Sequence, residues 1–295
     1  MTRLSRRKKV FLYLASVILG LWIMGPVLWV LDASFQLDNE LFSRPPHWIP
    51  ENPTLDNYVY IITRSPPPIY QRAEMGHRPS GDVLMIIPAL KNSVIVAGGA
   101  TLLNLVITVL AAYAFSRLKF VGKTVSFTFI MTSRLIPAIA VAIPIFVIIN
   151  NLGLLDTYPA LILVYLAFTL PFTIWFMTKY FDFMPPEIED AARVDGCTRF
   201  GALIRVVIPL AAPGLAATGA FAFMSAYSEF LFAALLTKTI ATRTAPVVLT
   251  SVAINDDVSY ALATAALVLS ILPPIIFALI FRRYITRGLS MAFGH

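Results

Sequence analysis

Apolar residues along this chain gather in long blocks, not in the short alternating or three-and-four patterns of a water-soluble fold. Crossing a bilayer takes about 20 apolar residues. Blocks of that length fall near Val10–Leu31, Pro88–Phe115, Val121–Ile149, Tyr158–Met177, Leu210–Leu236 and Tyr260–Phe281. The pattern predicts an all-α polytopic membrane protein with six transmembrane helices. The first block follows a basic head, "MTRLSRRKK". It is longer than the roughly 7–15-residue core of a cleaved signal peptide, so it reads as an uncleaved first span.

The connecting segments set the orientation, because Lys and Arg collect on the cytoplasmic side. With both termini inside, the inner segments hold Arg3, Arg6, Arg7, Lys8 and Lys9, then Arg117, Lys119 and Lys123, then Lys179, Arg193, Arg199 and Arg205, then Arg282, Arg283 and Arg287. The outer segments hold only Arg44, Arg64, Arg72, Arg78, Lys238 and Arg243. The expected division is a basic N-terminus at 1–9, a first span at 10–31, an external loop at 32–87, a core of five spans at 88–281 and a cytoplasmic tail at 282–295. The external loop, with its "SPPPIYQ" run, is either a solvated connector or a docking element with short structure of its own.

Composition agrees with the pattern. The chain of 295 residues is 58% hydrophobic and 13% charged, against about 25% charged in a soluble domain. Its mean hydropathy is +0.77. The net charge of +7 is spread among apolar runs, which argues against nucleic acid as a partner and for a membrane surface. The single cysteine, Cys197, rules out an internal disulfide framework. The three histidines, His47, His77 and His295, are too scattered to suggest a metal site.

One polar stretch interrupts the apolar pattern on the cytoplasmic side: "PPEIEDAARVDGCTRFGALIRVVIP" at 185–209. Pro185 and Pro186 suit a helix start, and Glu187, Glu189 and Asp190 suit its positive end. Gly196 can take the left-handed conformation that closes a helix, and Thr198 can cap the next. Ile188, Ala191 and Ala192 fall on one side of the first helix, and Phe200, Leu203, Ile204 and Val207 make a stripe on the second. Such a pair is either a plug for a groove on another protein or an amphipathic loop on the inner leaflet.

This stretch resembles the cytoplasmic signature of ABC importer membrane subunits: Glu-Ala-Ala, three residues, Gly, and a later Ile-x-Leu-Pro. Here it reads Asp190-Ala191-Ala192, then Gly196, then Val206-Val207-Ile208-Pro209. "LKNSVIVA" (Leu90–Ala97), "AAYAFSRLKFVGK" (Ala111–Lys123), "NLGLLDTYPALIL" (Asn151–Leu163) and "YITRGL" (Tyr284–Leu289) resemble the carbohydrate-importing branch, nearest to its shorter, maltose-type subunit. The chain departs from that branch at Asp190 in place of Glu, at Tyr227-Ser228-Glu229-Phe230 in place of Trp-Asn-Glu-Phe, and in its "SMAFGH" ending.

The resemblance implies the type I importer permease fold and a five-part machine in the cytoplasmic membrane. Two permease subunits form the pathway, an ATPase dimer binds ATP and Mg, and an external binding protein delivers a sugar. A polyol or glycerol phosphate is the alternative cargo, and a stand-alone secondary transporter or channel the alternative class. The chain itself carries no Gly-x-x-x-x-Gly-Lys-Ser/Thr loop, so it is read as a transport subunit, not an enzyme. Glu187, Asp190, Ala191, Ala192, Asp195, Gly196, Arg199 and Phe200 are the expected ATPase-coupling residues.

Charged residues within spans default to function. Arg134 sits about ten residues into the third predicted span, near the bilayer middle by helical rise. It either hydrogen-bonds cargo hydroxyls or pairs with a carboxylate such as Glu229. Tyr227 and Glu229 are further pathway candidates. Pro137, Pro144 and Pro171 are expected to kink spans, and Gly98 and Gly99 to allow close helix packing.

Overall fold

The computed structural model describes residues 6–45, 47–71, 81–254 and 259–293. Arg3, Arg72, Arg78 and the last residues of the tail lie outside the described residues, and so does any tail contact with an ATPase.

Among the described residues four helices are long and apolar enough to cross a membrane, and two bent pairs bring the count to six if each pair is one span. The continuous ones are α1 (Arg6–Ala33), α5 (Ile86–Arg117), α8 (Tyr158–Phe183) and α15 (Tyr260–Phe293), the last preceded by the shorter α14 (Ala245–Ile254). The expected third span is broken. It consists of α6 (Lys123–Ser133) and α7 (Ala138–Asn151), bent by 98°. Pro137 causes the break: it stands in extended backbone just before α7 (φ −60°, ψ 131°) and biases Ile136 away from helix. The fifth is also bent, by 79° between the helical segment Arg199–Leu210 and α12 (Ala212–Tyr227). A second break at Ser228–Phe230 separates α12 from the short α13 (Leu231–Leu236). Pro144 and Pro171, by contrast, lie inside α7 and α8.

The chain divides into two compact units. In one, made of Met1–Ile87 and Val248–Ile271, the segment after α1 carries short helices: α2 (Asp38–Leu41), α3 (Asp56–Thr63), α4 (Pro68–Gln71) and a 3₁₀ turn at Val83–Met85. Buried Asn57 ties them down. Its Nδ2 donates to the carbonyls of Ser34 and Gln36, both at 2.8 Å, and its Oδ1 accepts from the Tyr70 hydroxyl. Buried Asp38 accepts from the Ala261 N–H at 2.9 Å and so satisfies one of the free donors at the start of α15. Most of α1 keeps its apolar side chains exposed within this chain, Trp22 at 82% for example. Lipid or another subunit must cover it.

The other unit comprises Pro88–Val247 and Leu272–His295, and α8 is its most buried span. A polar seam joins α8 to α5: Asn104 Nδ2 donates to Thr169 Oγ1 at 2.9 Å, and the hydroxyls of Thr108 and Thr173 bond at 2.8 Å. All four residues are buried, and each polar group has its partner, which fixes the register of the two helices.

Close approach on this unit rests on two glycines. At Gly99 an added Cβ would stand 2.9 Å from Ile162 Cδ1, the end of a flexible side chain. At Gly214, in α12, it would stand 2.7 Å from the ring of Tyr180, which is buried. Gly98 meets nothing within 4 Å, so the expected close packing holds at Gly99 alone. Gly214→Ala is expected to destabilise the protein by about 1–3 kcal/mol. Gly99→Ala should do so by less, because Ile162 can turn aside. Thermal unfolding of the two variants in detergent, side by side, checks the order.

Candidate functional site

The polar interruption folds as the sequence requires. Pro186 precedes α9 (Glu187–Val194), whose first turn holds Glu187, Glu189 and Asp190. Asp195 ends the helix, and Gly196 follows with φ +90°. The Gly196 N–H donates to the Arg193 carbonyl at 3.1 Å and the Cys197 N–H to the Ala192 carbonyl at 3.0 Å. This pair of bonds is the Schellman closure, which needs a left-handed residue at that position. Thr198 then accepts from the Gly201 N–H at 3.0 Å and caps α10 (Arg199–Ala202). A wider π-type turn (Leu203–Val207) and α11 (Ile208–Leu210) lead on to α12.

The faces of this hairpin divide cleanly. Ala192, Ala202, Leu203 and Val207 are buried against the chain. Glu187, Asp190, Ala191, Asp195, Gly196 and Arg199 are exposed, as are Ile188, Val194, Phe200 and Ile204. The predicted apolar stripes are therefore split, half turned inward and half outward. Outward Val194 and Phe200, 87% and 61% exposed, form an apolar face ringed by charge, the composition of a docking surface. The exposed Asp190–Arg193 pair at 3.3 Å adds little stability.

Sequence reasoning missed the residue that holds this hairpin to the bundle. Glu189 faces inward, 11% exposed. Its Oε2 lies 3.5 Å from Nε of Arg117 at the end of α5, and its Oε1 accepts from the Tyr113 hydroxyl. The signal was present. Glu189 stands three residues before Ala192 and so shares its buried face.

Arg134 occupies the α6–α7 bend, as the residue that ends α6. Rise along a straight helix therefore does not give its depth. Its guanidinium carbon lies 4.9 Å from the Phe172 ring centre and 5.7 Å from that of Phe221. The side chain is exposed in a hollow of about 380 Å³ lined by Phe127, Thr128, Met131, Phe172 and Trp175. No carboxylate among the described residues lies within ion-pair distance of it. Glu229 is engaged elsewhere: its oxygens accept from the Phe232 and Ala233 N–H groups at 2.9 and 3.1 Å and cap α13. Tyr227 is buried, with its ring stacked on Phe223 at 5.8 Å. The three pathway candidates thus sit in different settings: Arg134 on a hollow, Glu229 in a helix cap and Tyr227 in the core.

On the opposite connections, a clasp also escaped the sequence reading. Asn92 Nδ2 donates to the Ile240 and Arg243 carbonyls, both at 2.9 Å, and Tyr158 donates to Asn92 Oδ1 at 2.7 Å. Asp156, with φ +60°, accepts from Lys238 N at 2.8 Å, from Thr239 N and Oγ1 at 3.1 and 2.7 Å, and from Thr242 Oγ1. Burial pushes the Asp156 carboxyl up, but the hydrogen bonds from Thr242, Lys238 and Thr239 outweigh it and hold the group well below the usual carboxylate range. A depressed folded-state pKa adds stability above the ordinary carboxylate value that is lost as pH falls through the depressed one. Asp156→Asn is therefore expected to lower the melting temperature at pH 7 by about 2–4 °C per kcal/mol lost. The difference from the parent should close in strong acid. A gap that stays constant down to strong acid would show that the charge is not responsible.

Comparison with known proteins places this geometry in context. The family model described as "Binding-protein-dependent transport system inner membrane component" matches residues 84–291. The trehalose/maltose transport system permease protein MalG of Thermococcus litoralis is 32% identical over 285 residues, covering 96% of this chain and 95% of that protein. The trehalose transport system permease protein SugB of Mycobacterium tuberculosis is 33% identical over 289 residues, with 97% of both chains covered. A chain from the crystal structure of a bacterial ABC transporter that imports the acidic polysaccharide alginate superposes with a TM-score of 0.76. The pair is 22% identical, with 96% of this chain and 99% of that one covered. That likeness shows the fold: all-α, of the type I importer permease kind.

Proposed function

This chain belongs to the family of binding-protein-dependent transport system inner membrane components, and on that premise we propose that it forms half of a sugar pathway driven by a separate ATPase. The observation that carries the motor half of the reading is the α9–α10 hairpin. Its inner face is locked to the bundle, and its outer face leaves Val194, Phe200 and Ile204 uncovered. The sugar half is supported by the relatives, which include permeases for trehalose, maltose and diacetylchitobiose.

In this reading Glu187, Asp190, Ala191, Ala192, Asp195, Gly196, Arg199 and Phe200 form or shape the surface seated in a groove of the ATPase. ATP and Mg²⁺ are held by that partner, and both termini of this chain lie in the cytoplasm. A second permease completes the pathway. Closure of the ATPase dimer carries α9 and α10 with it, since a packed interface moves as a rigid body and does not stretch. The 79° bend into α12 turns that displacement into rotation of a span. Arg134 meets the cargo. Its guanidinium lies over aromatic rings, offers five N–H donors and presents the flat faces that sugar rings pack against.

Purification of the tagged chain from its native membrane tests the reading. An ATPase, a second permease and a sugar-loaded binding protein are expected to come with it. Uptake that persists when no ATPase is captured would assign the chain to the stand-alone transporters.

A further inference from the structure

Buried charge marks a second device, away from both the outward hairpin face and the Arg134 hollow. Arg117 and Glu189 are 15% and 11% exposed, and their Nε–Oε2 distance is 3.5 Å. Arg117 Nη2 also donates to the Met184 carbonyl at 2.7 Å, and Tyr113 donates to the other oxygen of Glu189. One cluster therefore gathers the end of α5, the end of α8 and the first turn of α9. Buried ion pairs are poor stabilisers compared with apolar residues of equal volume, and their best-attested use is to fix one arrangement against others.

The covalent routes out of α9 are weak levers. Backward, it is joined to α8 by Met184, Pro185 and Pro186; forward, it turns at Gly196. The seam of Asn104, Thr108, Thr169 and Thr173 already binds α5 to α8. What the covalent chain lacks is a cross-link from α9 to that pair of spans.

We propose that Arg117, Glu189 and Tyr113 form a joint that makes α9 one rigid body with the cytoplasmic ends of α5 and α8. Movement imposed on the hairpin then reaches these spans directly, not only through α12. The inference rests on the reading of α9 as the ATPase's handle. Arg117, Glu189 and Tyr113 act as positioning residues and touch neither cargo nor nucleotide. Removing either charge frees α9 to swing at its flanking turns, so the motor's stroke moves the handle and leaves α5 behind.

The test uses the importer assembled in nanodiscs from this permease, its partner permease and the ATPase, in a Cys197→Ala background. Nitroxides are placed at Lys119→Cys and Arg193→Cys, both exposed and neither among the residues assigned to the ATPase surface, and their separation is measured by pulsed electron resonance, without nucleotide and with ATP–vanadate trapped. The parent is expected to show one narrow distribution that does not shift on trapping. Arg117→Ala and Glu189→Ala should each widen it roughly twofold and make it nucleotide-dependent. The double alanine variant should look like either single one, because the pair acts as a unit. A merely structural role would lower yield without creating a nucleotide response. A parent distance that shifts on trapping, or variants that match the parent, would overturn the joint. Failure of the ATPase to co-purify with the parent would instead remove the handle reading, while the nucleotide-free widths still decide whether the joint holds α9.

Discussion

Gly196→Val is expected to cut uptake by at least about tenfold while the protein still inserts at its normal level. The reason lies in the backbone. Gly196 has φ +90°, a region that a β-branched residue enters only with strain of about 1–3 kcal/mol. Space is not the obstacle, since a Cβ there would meet nothing within 4 Å. The two closing bonds, Gly196 to Arg193 and Cys197 to Ala192, depend on that conformation, and the angle between α9 and α10 depends on the bonds. Asn tolerates left-handed backbone, so Gly196→Asn should keep most of the activity. Gly196→Asp has the same shape but adds a negative charge at the negative end of α9, beside Asp195. It should lose more than Asn does. Uptake of the cargo that the binding protein identifies, normalised to immunoblotted membrane level, gives the comparison. Full uptake by the Val variant would mean that the turn need not be fixed.

Arg134→Ala should raise the cargo concentration for half-maximal uptake by about tenfold or more, the scale on which one lost charge-assisted hydrogen bond is felt. Lysine should not restore it. The guanidinium carbon lies over the Phe172 ring at 4.9 Å from its centre, and an ammonium supplies neither the plane nor the forked donors. Because Arg134 is exposed and has no carboxylate partner among the described residues, the amount of folded protein should not change in either variant. Unchanged affinity in both would remove Arg134 from the pathway and leave it as a residue of the α6–α7 bend.

The α9–α10 hairpin was the most legible part of the site, because its signals are local. A proline pair, acids in a first turn, a closing glycine and a capping threonine each act within a few residues. Glu189 was legible only in hindsight. Its charge suits a helix start whether it faces water or protein, and only the approach of Arg117, 72 positions earlier in the chain, decides which. The Asp156 clasp is similar: Lys238, Thr239 and Thr242 lie more than eighty positions away, and nothing near Asp156 announces them. The pathway candidates were taken up differently, Glu229 and Tyr227 by groups three or four residues away and Arg134 by rings from distant spans. Glu229 was taken up by a cap, Tyr227 by the core and Arg134 by two phenyl rings.

What the amino-acid sequence determined by itself was the solvent and the segmentation: which stretches are apolar enough for lipid, and where a polar hairpin interrupts them. Those follow from transfer free energies and from backbone preferences, which each residue carries with it. Only the tertiary structure decided that the hairpin's apolar residues divide between an inner and an outer face, and that an ion pair ties α9 to α5. Each of these is settled by which groups from distant parts of the chain can share one desolvated space, and no local preference encodes that.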